Sequence, residues 1–93
     1  MKRALEPTSA FLRAMKRLLK RQPGSAEEIR NVLMQLEADA FAPSLRTHKL
    51  KGSLSGCWAS SAGYDMRIIF EILPAEAGEK LSLLTIGTHD EVY

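Results

Sequence analysis

The stretch His48-Lys-Leu-Lys-Gly-Ser-Leu-Ser-Gly-Cys-Trp58, continued by Tyr64-Asp-Met-Arg-Ile-Ile-Phe-Glu-Ile72, decides the fold of this chain. It begins with cations around a histidine and then contains two apolar runs bounded by Gly, Ser or Asp, a pattern typical of the strands of a hairpin. In the second run Met66, Ile68, Phe70 and Ile72 point to one side, and Arg67, Ile69 and Glu71 point to the other. We expect the apolar side to cover a core and the other side to hold Arg67 near the middle of a sheet, where it could bind a phosphate.

Two amphipathic helices are predicted before this stretch. A short edge strand over residues 2–5 is stopped by Pro7, and Thr8 or Ser9 caps a first helix that runs to about Arg21. Its buried stripe is Phe11, Leu12, Met15, Leu18 and Leu19. After a break at residues 22–24, a capping box of Ser25 and Glu28 opens a second helix that ends before Pro43. The buried stripe of this helix is Ile29, Val32, Leu33, Leu36 and Ala40. The short break predicts an antiparallel helix pair.

The remaining chain is predicted to form an antiparallel meander. Strands over 55–61 and 65–73 are joined by a turn at 62–64, a polar loop covers 74–79, and a third strand covers 80–86. Residues 87–93 are too few for a further element of any size. The result is an α+β fold, in which two N-terminal helices pack on one face of a small, mainly antiparallel sheet and leave the face with Arg67 open.

Length and composition point to one domain over residues 1–93. Hydrophobic residues make up 45% and charged residues 26% of the 93, ordinary values for a globular protein. The apolar runs are too short to span a membrane, and no secretory signal is recognisable, so we expect no membrane association. The single cysteine, Cys57, is consistent with a cytoplasmic location.

Positive charge is concentrated at the N-terminal end. Seven of the thirteen lysines and arginines lie in the first 21 residues, with Glu6 as the one acid among them. Such a patch suits a polyanion or an acidic protein segment. The alternative, a merely solvated helix face, explains the helical cations equally well.

The pattern H-x-L-x-G-x-L-x-G-x-W, followed by Y-D-x-R-I-I-F and a closing G-T-H-D-x-x-Y, resembles the RelE/ParE superfamily of toxins from type II toxin–antitoxin systems. The YafQ- and YoeB-like branches are the most similar, and the resemblance covers the whole chain. It implies the RelE-like microbial RNase fold. It also implies a metal-independent endoribonuclease that cleaves mRNA in the ribosomal A site.

The residues themselves allow such chemistry. Cleavage by the 2′-hydroxyl needs a base, an acid and cations for the phosphorane, and histidine can serve as either base or acid. His48 and His89 are the candidates for acid and base, and Arg67 is the candidate for the phosphate. One cysteine and no paired metal-ligand spacing argue against zinc, and Asp65 has no obvious carboxylate partner for magnesium. We therefore expect no metal and no cofactor.

The resemblance assigns the site residue by residue. It implies catalytic roles for His48, Asp65, Arg67, His89 and Tyr93. From their charge, Arg46, Lys49 and Lys51 are expected to bind RNA phosphates. A further cation or histidine of the related patterns falls at Ser60 or Ser61 here, and this departure predicts weaker catalysis.

Other readings of the same residues remain open. A ParE-like protein on this fold would inhibit DNA gyrase without cleaving RNA, and a degenerate toxin would retain only antitoxin binding. Taken singly, either histidine is more often a surface residue than a catalyst. Trp58, Tyr64 and Phe70 are expected to pack, and Cys57 is expected to be an unreactive strand residue.

The resemblance also implies partners. We expect mRNA and the ribosome as substrate and platform, and a hetero-oligomer with a cognate antitoxin. An acidic antitoxin segment that folds on binding could wrap the cations of both regions. These are Arg13, Lys16, Arg17 and Lys20 on the first helix, and Arg46, Lys49, Lys51 and Arg67 around the open face.

Overall fold

The computed structural model describes residues 2–93 as a mixed five-stranded sheet with helices. In chain order the elements are β1 (Ala4–Pro7), α1 (Ser9–Arg21), α2 (Ala26–Ala38), β2 (His48–Lys49), β3 (Trp58–Ala62), β4 (Met66–Ala75), β5 (Gly78–Thr88) and α3 (His89–Val92). Short 3₁₀ turns occupy Pro23–Ser25, Pro43–Leu45 and Gly52–Leu54. The strand order is β1-β5-β4-β3-β2, so β4, which carries Arg67, is the central strand. The fold is α+β, as expected.

Strands β4 and β5 form one long hairpin. Their pairing runs from Met66 opposite Thr88 to Ala75 opposite Gly78, with a register shift between Ile69 and Phe70. The polar loop predicted over 74–79 is therefore wrong, because the pairing continues to a tight turn. Gly78 has a φ of 115°, which glycine adopts without steric cost. The predicted third strand over 80–86 is correspondingly longer at both ends.

Strand β1 lies at the sheet edge and runs parallel to β5, from Ala4 opposite Lys80 to Pro7 opposite Leu83. The edge position is confirmed, although the strand begins at Ala4. Exposed ion pairs accompany this pairing, Arg3 with Glu79 at 3.0 Å and Lys80 with Glu6 at 3.0 Å. An edge position suits Pro7, since proline has no N–H to donate to a further strand.

Both helices contribute buried side chains to one core that they share with the sheet. This core contains Phe11, Ala14 and Leu18 from α1, Ile29, Val32 and Leu36 from α2, and Met66, Ile68, Phe70, Leu81, Leu83 and Ile86 from the sheet. Trp58 packs against this core and Phe70 is fully buried, as expected. Leu12, predicted to be buried, is 49% exposed, because it lies at the margin of the helical stripe.

The predicted capping box at the start of α2 is wrong. Ser25 belongs to a 3₁₀ turn and has right-handed helical dihedrals, whereas an N-cap residue has extended dihedrals. Its hydroxyl lies 3.3 Å from Oε1 of Gln22 and makes no capping bond. Glu28, the other predicted partner, lies beside Gly63.

The cap of α1 at Thr8 is confirmed and gives a first prediction. The Thr8 hydroxyl accepts a bond from the N–H of Phe11 at 3.1 Å and donates one to the carbonyl of Leu83 at 2.7 Å, so it joins α1 to β5. We expect Thr8→Ala to lower the free energy of unfolding by about 1–2 kcal/mol. Urea unfolding of this variant beside Ser9→Ala, its exposed neighbour, measures the difference. Equal midpoints for the two variants would contradict the role of the cap.

The face of the sheet that carries Arg67 is only partly open. Ala59 and Ile69, which pair on this face, are 0% and 1% exposed, and Ser82 is 7% exposed. The expectation of a fully open face is therefore wrong, and the accessible surface around Arg67 is a cleft at one end of the sheet. No helix among residues 2–93 is long and apolar enough to cross a membrane.

Candidate functional site

A polar cleft of about 730 Å³ lies at the end of the sheet where β3 turns into β4 and β5 turns into α3. It is lined by Ser44, Arg46, Ser61, Gly63, Tyr64, Asp65, Arg67, His89 and Asp90. The structure thus brings together four of the eight residues predicted for the site, namely Arg46, Asp65, Arg67 and His89. They come from three separate segments, since Asp65 and Arg67 are two residues apart, and only the sheet topology brings these segments together.

Arg67 lies in the middle of this cleft because β4 is central. Its neighbours on the adjacent strands are Ser61 and Gly87, and these small residues leave room beside the guanidinium. Nη1 donates to the carbonyl of Met66 at 2.9 Å, which leaves the other guanidinium nitrogens available. None of the salt bridges among residues 2–93 involves Arg67. The arrangement presents a fixed positive charge with free donors for an anion.

The turn before β4 shapes one wall of the cleft. Gly63 has a φ of 72°, and a Cβ at this position would collide with the carboxylate of Glu28. The positive φ favours glycine there, whereas the Glu28 carboxylate is the end of a flexible side chain and could move. The carbonyl of Asp65 accepts a bond from the backbone N–H of His89 at 2.9 Å. This bond ties the turn to the chain segment that carries the histidine.

His89 and Tyr93 lie at the two ends of α3 and contact each other. Their rings meet edge to face, with centroids 4.6 Å apart and an interplanar angle of 75°. Partial burial raises the pKa of Tyr93, and the nearby Arg67 guanidinium offsets part of that rise. The phenol therefore stays protonated at neutral pH and can donate a hydrogen bond close to Arg67. The prediction that residues 87–93 form no further element of any size is wrong, because His89–Val92 form one turn of helix, α3.

His48 lies outside the cleft lining but on the same face of the sheet. It pairs with Ala59, and Ala59 pairs with Ile69 on the face of β4 that also carries Arg67. Two strand spacings, roughly 10 Å, separate β2 from β4. Nδ1 of His48 lies 2.9 Å from the carbonyl oxygen of Arg46. Because a carbonyl only accepts, Nδ1 carries the hydrogen, and the lone pair of a neutral ring then lies on Nε2.

Arg46 lines the cleft with an unusual backbone. Its φ of 50° places it in the left-handed region, where it is the only non-glycine residue among residues 2–93. Such a conformation costs on the order of 1 kcal/mol and is frequent at functional sites. It ends the 3₁₀ turn at Pro43–Leu45 and directs the chain into β2. The strained residue thus links the cleft to His48.

The two lysines predicted to bind phosphate do not line the cleft. Lys49 pairs with Trp58 on the opposite face of the sheet from His48, and its Nζ lies 5.7 Å from the centroid of the indole. Successive residues of a strand point to opposite faces, so His48 and Lys49 cannot share one. Lys51 is exposed just before the 3₁₀ turn at Gly52–Leu54. The role of both lysines in RNA binding stays a prediction.

The structure places Tyr64 differently from the prediction and decides between the two serines that the sequence left open. Tyr64, predicted to pack, is 99% exposed at the cleft, where its ring is free to stack on a base. Its place in a glycine-containing turn was the available signal. Ser61 lines the cleft opposite Arg67, whereas Ser60 is buried and its hydroxyl lies 2.6 Å from that of Thr47. Only position 61 could therefore have carried an additional catalytic side chain into the cleft.

Other potentially reactive groups contribute little here. Within residues 2–93, no three His, Cys, Asp or Glu side chains converge to hold a metal ion. Burial, and secondarily the charge of Glu71, raises the pKa of the Cys57 thiol. A raised pKa disfavours the thiolate, in agreement with the expectation of an unreactive cysteine.

Comparison with known proteins gives consistent matches. A family model described as "Bacterial toxin of type II toxin-antitoxin system, YafQ" matches residues 3–93. The fold is similar to that of YafQ from E. coli strain BL21(DE3), at 16% identity over 99% of each chain with a TM-score of 0.77. It is also similar to a metal-bound toxin from Helicobacter pylori, at 23% identity over 100% of each chain with a TM-score of 0.75. A YoeB/ParE toxin from Agrobacterium tumefaciens matches at 16% identity over 92% of this chain and 98% of its own, with a TM-score of 0.74. No curated protein matches the chain.

Proposed function

Since this chain belongs to the YafQ family of toxins from type II toxin–antitoxin systems, we propose that it is a metal-independent endoribonuclease that cleaves mRNA in the ribosomal A site. Residues 1–93 act as one toxin domain in the cytoplasm. The two N-terminal helices, as an antiparallel pair on one face of the sheet, leave the cleft at the end of the other face free for RNA.

One observation carries this proposal. Arg46, Asp65, Arg67 and His89 line a single polar cleft, and His48 lies on the same face of the sheet beside it. Two cations, two imidazoles and a free aromatic ring are the groups that binding and cleaving a phosphodiester requires. A gyrase inhibitor has no need of this set, because it performs no chemistry on a phosphate.

The geometry supports a division of roles. His48 takes the proton of the 2′-hydroxyl at Nε2, because its Nδ1 is engaged by the carbonyl of Arg46. The 2′-oxygen then attacks the adjacent phosphorus. Arg67 stabilises the negative charge of the phosphorane, and Arg46 neutralises a neighbouring phosphate. His89 donates a proton to the departing 5′-oxygen, so the products are a 2′,3′-cyclic phosphate and a 5′-hydroxyl.

The other site residues orient the substrate. The phenol of Tyr93 donates a hydrogen bond near Arg67 and supports the ring of His89. Tyr64 stacks on an unpaired base at the cleft, and the carboxylate of Asp65 accepts a hydrogen bond from a ribose or base. Lys49 and Lys51 contact phosphates that lie further along the strand.

Primer extension on a reporter mRNA, with and without ribosomes, tests the activity. We expect cleavage at discrete positions that depends on translating ribosomes. In cells, full-length mRNA should disappear within minutes of expression. Intact transcripts with induced DNA damage would instead support gyrase inhibition, and expression without growth arrest would support a degenerate toxin.

We further propose a cognate antitoxin as the regulatory partner, in a hetero-oligomer. Solved structures of the related E. coli YafQ include complexes described as DinJ-YafQ toxin-antitoxin complexes. In this chain Arg13, Lys16, Arg17 and Lys20 are all exposed on α1. They take part in none of the salt bridges among residues 2–93. An acidic segment can therefore bind them without breaking internal pairs.

This proposal predicts an association rate that depends on charge. Raising the salt concentration from about 50 to 200 mM should slow association of the antitoxin several-fold and change dissociation less, because screening acts on the encounter. Surface plasmon resonance with the co-expressed partner measures both rates. A salt effect confined to dissociation, or failure of any gene in the operon to neutralise the protein, would contradict the proposal.

A further inference from the structure

The outer edge of β5 is only half covered by a strand. β1 pairs with Lys80–Leu83, and no strand among residues 2–93 pairs with residues 84–88 on that side. The chain then turns into α3, which lies at this uncovered end of the edge. A groove at this end lies between α1, β5 and α3, so α1 also borders the uncovered edge. Its lining residues are Ala14, Arg17, Arg21, Thr85, Ile86, Glu91 and Val92.

Gly87 allows α3 to lie close to the sheet. Gly87 is the direct neighbour of Arg67 on β5. A Cβ at Gly87 would lie 3.1 Å from Oε1 of Glu91 and 3.3 Å from Cγ1 of Val92. These distances are tighter than ordinary van der Waals contacts, so with a Cβ at this position the side chains of Glu91 and Val92 would have to shift by a few tenths of an ångström. The position of α3 is thus set directly beside the arginine of the cleft.

Glu91 holds α3 in this position through two groups. Its Oε1 accepts a bond from the N–H of Thr88 at 2.8 Å, which caps the helical turn. Its carboxylate also pairs with Nη2 of Arg21, the last residue of α1, at 2.9 Å. The Thr88 backbone bond is the largest cause of a lowered pKa at Glu91, and Arg21 adds to the lowering. Glu91 is therefore ionised at neutral pH and available to both partners.

We propose that the Arg21–Glu91 pair is a brace across the edge of the sheet, and that Arg21 and Glu91 are positioning residues for His89 and Tyr93. A helix of four residues has no stability of its own in water. The packing over Gly87, the cap, the brace and the backbone bond from His89 to Asp65 therefore together hold the turn that carries His89 at its start and precedes Tyr93. The catalytic consequence rests on the nuclease function proposed above, whereas the docking of α3 does not.

Substitutions separate the brace from the cap. Arg21→Gln removes only the ion pair, and Glu91→Gln removes the negative charge but keeps an acceptor for Thr88. An exposed ion pair contributes little free energy. We therefore expect each of these two substitutions to lower kcat about three- to fivefold with KM nearly unchanged. Glu91→Ala, which also loses the cap, should lower kcat about tenfold or more. Arg21→Lys should keep most of the activity, and Arg30→Gln, an exposed arginine on α2 that lines neither the cleft nor this groove, is the control.

The two glutamine substitutions should not be additive. If the ion pair is the shared cause, Arg21→Gln combined with Glu91→Gln should be no slower than either single variant. Effects that multiply in the double variant would show that the two residues act independently, and would overturn the brace.

Titration of Tyr93 supplies a readout that needs no RNA. With Tyr64 replaced by Phe, Tyr93 is the only tyrosine of the chain. Burial raises the pKa of Tyr93 above 10.0, so the neutral phenol persists as the pH rises through 10. The charge of Arg67 lowers this pKa but does not cancel the effect of burial. Release of α3 removes the burial, and the pKa should fall toward 10.0 in Glu91→Ala and partly in Arg21→Gln. Tyrosinate absorbance measures it, and thermal unfolding checks that each variant is folded.

The outcomes distinguish the two proposals. A fall in the Tyr93 pKa, together with a loss of kcat, supports both the brace and the nuclease site. If the pKa falls but the unsubstituted protein cleaves no RNA, the brace stands and the proposed function fails. If the Tyr93 pKa in Arg21→Gln equals that in Arg30→Gln, and the Tyr93 pKa in Glu91→Ala equals that of the unsubstituted protein, the brace is wrong.

Discussion

Replacing Arg67 by alanine is expected to slow mRNA cleavage a few hundred-fold while the protein remains folded. The guanidinium has no carboxylate partner among the salt bridges of residues 2–93 and lies in the centre of the cleft. Loss of one preorganised charge at a developing oxyanion costs about 3–4 kcal/mol of transition-state stabilisation. The side chain is half-buried on the polar side of β4, opposite Ser61 and Gly87, so its removal opens no core cavity.

Two variants serve as controls for this result. Glu71→Ala changes a half-buried charge on the same strand and the same face, outside the cleft lining, and should leave the rate within about twofold. Arg67→Lys keeps the charge but loses the planar fork of donors, so an intermediate rate is expected. Single-turnover cleavage on programmed ribosomes gives all three rates, and urea unfolding confirms the fold. Growth arrest by Arg67→Ala at equal expression would show that the site is assigned wrongly.

The second large effect is expected at the two histidines. His48→Gln and His89→Gln should each slow cleavage by about 10²–10⁴-fold, because each removes a group that transfers a proton. The pH–rate profile should also change in opposite ways. Loss of the base, His48, removes the fall in rate at low pH, and loss of the acid, His89, removes the fall at high pH. Glutamine keeps a similar size and polarity, so the packing of Tyr93 against position 89 is largely preserved.

The pH–rate profiles of both variants are compared with that of Arg30→Gln, which changes an exposed residue of α2 that does not line the cleft. An unchanged profile in both histidine variants would make the histidines structural. A reversed pattern, with His48→Gln losing the fall at high pH, would exchange the assigned acid and base. The double variant should be little slower than the slower single variant, since residues that act as one unit are not additive.

Local patterns in the sequence were sufficient for much of the fold. Thr8 caps α1 and the helix ends at Arg21, because capping and apolar periodicity act within one or two turns. The alternation from Met66 to Phe70 gave the inward and outward sides of β4, because side chains of a strand alternate whatever it pairs with. The same kind of signal failed at Ser25, where the pattern of a capping box matched but the 3₁₀ turn did not supply its backbone geometry.

For this protein, the sequence by itself determined the α+β class, the helix starting at Thr8, the side of β4 that carries Arg67, and the family resemblance, since each depends on neighbours in the chain. Only the tertiary structure decided the rest, because it depends on residues that are distant in sequence. The parallel pairing of β1 with β5 joins residues about 75 positions apart. The pairing of β2 with β3 placed His48 on the face of β4 that carries Arg67. The cleft gathers Arg46, Arg67 and His89 from separate segments, and the contact of Glu91 with Arg21 spans 70 positions. Such contacts leave no pattern in the local sequence, since they form only when the strands pair in the sheet.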